Sequence, residues 1–161
     1  MTDTAGWHEL ATALRTLHRA LMECARRDYE REHGVALSPT EQLRLLTTDA
    51  YFDWLRRLSE LIVDIDLVRD AEAQDVADIL PAVRSAVEYF IGAAPIPPDT
   101  GDSFAQHYWP YLQTDPHVVM AHRDVKHVLK SWPRPRKSDA ASMLHDRHLL
   151  AEKARHRIRH R

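Results

Sequence analysis

Large apolar residues recur along the N-terminal stretch at steps of three and four: Trp7, Leu10, Leu14, Leu17, Leu21 and Cys24. That spacing holds them on one face of an α-helix in a heptad-like stripe. It predicts a helix from about Ala5 to His33, stopped by Gly34 just past its end. Asp28 takes the next stripe position, so the apolar face either ends there or drifts to Ala25 and Tyr29. Ser38-Pro39-Thr40-Glu41 then reads as the start of a short helix ending near Thr47. Ser38 serves as N-cap, Pro39 as first helical residue and Glu41 as capping-box partner.

Thr48 or Asp49 is expected to cap a stronger helix over "YFDWLRRLSELIVDID". Its Trp54, Leu55, Leu58, Leu61, Ile62 and Ile65 cover more than half the circumference, which makes it central to the core. Asp53, Arg57, Glu60 and Asp64 fall on the other face, where Asp53–Arg57 and Arg56–Glu60 pairs are within reach. Val76, Leu80, Val83, Val87 and Phe90 form a further stripe ending at Gly92, with Pro81 expected to kink or split it. "AAPIPPDTGD" is a loop, after which Asp102 caps a short aromatic helix around "FAQHYWPYLQ". Asp115-Pro116 starts another helix, with Val118, Val125, Leu129 and Trp132 on one face. "PRPRK" is an extended linker, and Ser138 or Asp139 opens a last helix. The fold class is therefore all-α: four to five main helices over residues 1–132, then a Pro-rich linker and basic amphipathic helix over residues 133–161.

Composition agrees. The 161 residues are 44% hydrophobic and include only 4 glycines, against a turn-rich β fold. A single cysteine allows no intramolecular disulfide and fits a reducing compartment. No apolar run approaches the ~20 residues of a membrane span, and "MTDTAGWHEL" has neither a basic n-region nor an apolar h-region, so a cytoplasmic location is expected. A P-loop or Rossmann phosphate site finds no glycine spacing to support it.

The net charge of −2 hides a split. Residues 1–132 carry 13 Lys+Arg against 21 Asp+Glu, and residues 49–102 alone carry 4 against 12. Residues 133–161 carry 9 against 3, with His145, His148, His156 and His160 besides. An acidic body of −8 thus bears a basic tail of +6. The cations are Arg134, Arg136, Lys137, Arg147, Lys153, Arg155, Arg157, Arg159 and Arg161, around a narrow apolar line of Met143, Leu150, Ala154 and Ile158.

The expected function is a non-enzymatic interaction or scaffold role, in which this basic helix docks on an acidic surface of its own body, a subunit or a protein partner. The complementary charge already lies in the same chain. The alternative is a nucleic-acid accessory protein that grips phosphates with the same residues, in a salt-dependent way. A membrane-surface role lacks a Trp or Phe on the apolar line. Cys24 at a seam position of a heptad-like helix fits a homodimer. If the tail histidines are exposed, acidification towards pH 5 raises its charge and should tighten electrostatic docking.

The stretch Phe52-x-Trp54-Leu55-x-x-Leu58-Ser59-Glu60-Leu61-Ile62-Val63-x-Ile65-Asp66, with "DYEREHG" before it and "DPHVVMAH" after it, resembles a group of uncharacterised small bacterial helical proteins over roughly residues 10–130. The resemblance implies an all-helical fold and brings no activity, cofactor or catalytic residue.

A third class of function is a small helical enzyme or metal protein. His122 lies on the apolar line between Val118 and Val125. A buried imidazole needs a partner, and Asp28, the other polar residue on a core stripe, would make a carboxylate-oriented general base; Ser59 and Asp66 are further partners. The plain alternative is a satisfied core histidine that fixes register. A carboxylate-bridged metal pair calls for Glu-x-x-His on two helices. Glu30-x-x-His33 fits and Asp124-x-x-His127 nearly does, but neither pair faces an apolar stripe. "HYWPYLQ" groups aromatics that could stack bases, although few cations interleave, so a lid over the core is the simpler role. Cys24 reads as an inert, buried thiol. No cofactor is called for.

Overall fold

The N-terminal stripe does form one long helix. The computed structural model describes residues 4–70, 76–92 and 103–134, together with Leu149, Glu152, Arg155, His156 and Arg159. Among the described residues every regular element is a helix, and none is a strand. Helix α1 spans Thr4–His33, and Trp7, Leu10, Leu14, Leu17, Leu21 and Cys24 are all buried along it. Gly34 ends it at φ 64°, the left-handed conformation that costs glycine least. Past Cys24 the face drifts: Ala25 is buried and Tyr29 packs on the core, while Asp28 is half-buried.

Helix α2 (Pro39–Thr48) begins with the capping box read from "SPTE". The Glu41 backbone N–H donates to Ser38 Oγ at 3.3 Å, and Glu41 Oε2 accepts from the Ser38 backbone N–H at 2.9 Å. No residue of α2 is fully buried; Leu45 and Leu46 rest against the core edge. The next cap is Asp49, one of the two residues expected, but the element it opens differs. Asp49 accepts from the Tyr51 N–H at 2.9 Å and closes a 3-10 turn over Ala50–Phe52, and only then does α3 (Asp53–Asp70) begin. The short turn lets Phe52 enter the core before the helix proper starts.

Helix α4 (Val76–Gly92) runs through Pro81 as one element and is not split. Proline removes one helical donor near the start of this helix. Burial of Ile79, Ala82, Val83, Ala86 and Val87 holds both sides of it in place. Helix α5 (Ser103–Thr114) carries the aromatic run; its expected cap, Asp102, lies outside the described residues. Asp115 caps α6 (Pro116–Lys130), its Oδ1 accepting from His117 and Val118 N–H groups at 2.9 and 3.2 Å.

The helices assemble around α1. It packs along α6 and α3; α5 touches α1, α3 and α6, and α4 joins α3 and α6. Pairs across the contacts give the directions. Arg15 meets Asp66, His18 meets Ser59 and Tyr29 meets Phe52, so α3 runs antiparallel to α1. Trp7 meets Trp132 edge-on at 4.9 Å and Arg27 meets Asp115 at 2.7 Å, so α6 is antiparallel to α1 as well. A single cluster of buried residues from α1, the 3-10 turn, α3, α4, α5 and α6 forms the core.

Candidate functional site

Helix α3 has a polar residue at each margin of its apolar face, and the two margins face different partners. On one margin, Ser59 Oγ lies 2.8 Å from His18 Nε2, and Asp66 is paired with Arg15 of α1 and with Arg69 at 3.2 Å. On the other lies Asp64. The residue pattern assigns Asp64 to the solvent face, and the structure corrects this: its side chain is 2% exposed. At about 100° per residue, Asp64 sits only about 40° from Val68 on the helical wheel. Burial at such a margin is decided by what packs over it.

The Asp64 carboxylate is met by the tail. Arg155 Nη2 donates to Asp64 Oδ1 at 2.6 Å, across 91 positions of sequence. The Arg155 side chain is 52% exposed, so the pair joins an enclosed acid to a cation still half in water. Arg155 has helical backbone, as do Leu149, Glu152, His156 and Arg159, and all five are exposed. Arg134 is exposed too; Arg136, Lys137, Arg147, Lys153, Arg157 and Arg161 lie outside the described residues. The guanidinium replaces part of the hydration that the carboxylate loses on burial, which is what makes an enclosed charge tolerable. Sequence reasoning named Arg155 but missed Asp64. The available signal was its spacing of three from Leu61 and four from Val68.

His122 and Asp28 do not pair with each other. Helix α5 separates them, presenting Tyr108 and Tyr111 one turn apart. Tyr108 Oη lies 2.6 Å from His122 Nδ1, and Tyr111 Oη donates to Asp28 Oδ2 at 2.5 Å; Asp28 also pairs with Arg31 at 2.7 Å. Burial, and secondarily Lys126, pushes the His122 imidazole below its ordinary range, and burial pushes the Tyr108 phenol above its own. Both groups are thus neutral near neutral pH, with the proton held firmly on the phenol oxygen. Such a pair satisfies a buried phenol and a half-buried imidazole and joins α5 to α6.

Cys24 accepts from Arg27 Nη2 at 3.3 Å. Burial nonetheless raises its thiol to about 11, with Asp115 adding to the effect, so the thiolate needed for nucleophilic work is scarce. Of the residues weighed as metal ligands, Glu30, His33 and Asp124 meet other groups. Glu30 accepts from Arg26 and from the Leu37 N–H at 2.8 Å; His33 Nδ1 lies 2.9 Å from the Tyr29 carbonyl, and its ring stacks on Tyr29. Asp124 is exposed beside Arg123, and His127 is exposed. Among the described residues, no group of three or more His, Cys, Asp or Glu side chains gathers where a metal ion could sit.

The aromatic run packs inward. Phe104 and Tyr108 are buried, and Trp54 of α3 stacks on His107 at 5.0 Å and on Tyr111 at 6.0 Å. These rings are engaged by other rings of the protein, while Trp109 is exposed. Among the described residues, no helix is long and apolar enough to cross a membrane. Compared with protein-family models, with curated proteins and with solved structures, the chain matches none of them.

Proposed function

We propose that this protein is a non-catalytic interaction module: an acidic helical body whose basic C-terminal segment docks on an acidic surface, here its own and in other circumstances a partner protein's. The observation that carries the reading is the 2.6 Å bond from Arg155 to the enclosed Asp64. The charge split supports it, since a segment of +6 lies in the same chain as a stretch of −8. In this reading the body is a bundle of four to five main helices with the tail helix appended, at home in the reducing cytoplasm that a single buried thiol suits.

Two other readings draw less support. Catalysis by His122 would need an imidazole ready to take a proton and a carboxylate to orient it; its neighbours are a phenol and Lys126. Nucleic-acid binding through the tail would need its cations free for phosphates, and Arg155 is engaged by Asp64.

A double-mutant cycle on the full chain tests the docking. Asp64→Asn and Arg155→Gln, singly and together, are compared by urea unfolding. Docking predicts a coupling of about 1 kcal/mol, reduced from the buried-pair range because Arg155 is half exposed. Coupling below about 0.3 kcal/mol, the usual error of additivity, would refute it.

A further inference from the structure

The Arg155–Asp64 pair is asymmetric, and the asymmetry bears on how the contact is made and broken. Asp64 is enclosed, whereas half of the Arg155 side chain is open to solvent. A second carboxylate can therefore approach the guanidinium from outside before the bond to Asp64 is lost. The seat that Arg155 occupies also describes what would replace it. That seat is the Asp64 carboxylate, with the exposed Glu60 one turn before it and aliphatic side chains at the same margin: Leu61 and Val68 are buried. The tail in turn bears an exposed aliphatic residue, Leu149, 42% exposed, among its cations. Carboxylates interleaved with aliphatic side chains belong to an acidic amphipathic protein segment. A phosphate backbone would match the charge and leave the aliphatic part without a complement.

Resting on the docking reading above, we propose that the Arg155–Asp64 pair is an autoinhibitory latch: Asp64 holds the basic segment on its own body, and an acidic, amphipathic segment of a partner protein competes with Asp64 for it. A ligand that needs the open form binds with an affinity reduced by the open fraction. A latch that leaves the open form at about a quarter of the population lowers affinity about 4-fold. Removing the Asp64 charge lifts that restraint while keeping every cation of the tail.

The test is fluorescence anisotropy on the full chain at about 50 mM salt, a condition in which charge contacts are weakly screened. The probes are a labelled helical peptide of glutamates and leucines and a labelled single-stranded DNA of equal charge. Asp64→Asn is expected to bind the peptide about 4-fold more tightly than the wild type. Glu60→Gln, which removes an exposed acid one turn away, should bind as the wild type does. Equal affinity of Asp64→Asn and wild type would overturn the latch and leave docking standing. No peptide binding by either would overturn the docking reading and the latch together. A gain confined to DNA would overturn the assignment of an acidic protein partner. Should Asp64→Asn fail to fold, Arg155→Gln replaces it, with a dye on Leu149→Cys reporting tail motion; the buried Cys24 thiol is spared. Faster local depolarisation in Arg155→Gln supports the latch, and an unchanged decay overturns it.

Discussion

Arg84 of α4 donates through Nη1 to the main-chain oxygen of Trp132, and through Nε to Glu88 Oε1 at 2.8 Å. The Trp132 carbonyl lies just past the last turn of α6, where helix carbonyls run out of intrahelical donors. A buried side chain from one helix thus closes the end of another, at the point where the chain leaves for its basic segment. Arg84→Met keeps the aliphatic stem and removes the donors. It is expected to cost about 2 kcal/mol in urea unfolding, the range for an unsatisfied buried acceptor. A loss of a few tenths would show that Arg84 only fills space.

Stability should fall on mild acidification. Burial pushes the imidazoles of His18 and His122 below their ordinary range, the latter with help from Lys126. In the unfolded chain each takes up a proton near pH 6.5. The folded state does so only at lower pH, so between the two values the unfolded state binds more protons. The stability tied to these groups is complete above about pH 6.5 and is lost as pH falls through the folded values. Carboxylates such as Glu23, held down by Arg26, act in the same direction but below about pH 4.5. The urea midpoint should therefore drop between pH 7.5 and 5.5. His18→Gln, which keeps a partner for Ser59, should flatten that drop; an unchanged slope would acquit His18.

Cys24 should be silent towards thiol reagents in the folded protein. Its thiol is buried and raised to about 11, so almost none is ionised at pH 8. Dithionitrobenzoate is expected to react stoichiometrically in 6 M guanidinium and negligibly over the same minutes without it. Prompt reaction of the native protein would contradict the buried setting.

The two tyrosines of α5 should differ in worth. Tyr111 donates to the charged Asp28, whereas Tyr108 meets a neutral imidazole. Hydrogen bonds to charged groups contribute about 1.5–3 kcal/mol against about 1 for neutral ones. Tyr111→Phe should therefore lower unfolding stability more than Tyr108→Phe. The reverse order, measured by urea titration, would mean that the His122 imidazole rather than the carboxylate anchors α5.

Much of the fold was legible in residue spacing. The stripe of α1, the capping box at Ser38, the glycine stop at Gly34 and the proline start of α6 are local features, each settled within one or two helical turns. The candidate site was only half legible. Arg155 stood out as part of a cation-rich segment, whereas Asp64 looked like one more solvent-facing acid. His122 and Asp28 were rightly noticed as polar groups near core stripes, but their partners, Tyr108 and Tyr111, lay on a helix whose placement no periodicity specifies.

The sequence by itself determined which segments are helical and which face of each is apolar, because backbone hydrogen bonding and the 3.6-residue repeat act over a few neighbouring residues. It also determined the separation of charge between body and tail. Only the tertiary structure decided what covers the margins of α3. There Ser59 and Asp66 turn to α1, and Asp64 meets an arginine 91 positions away. A margin residue has no burial of its own; it takes the environment of whichever element packs beside it, and that choice is made by the whole chain.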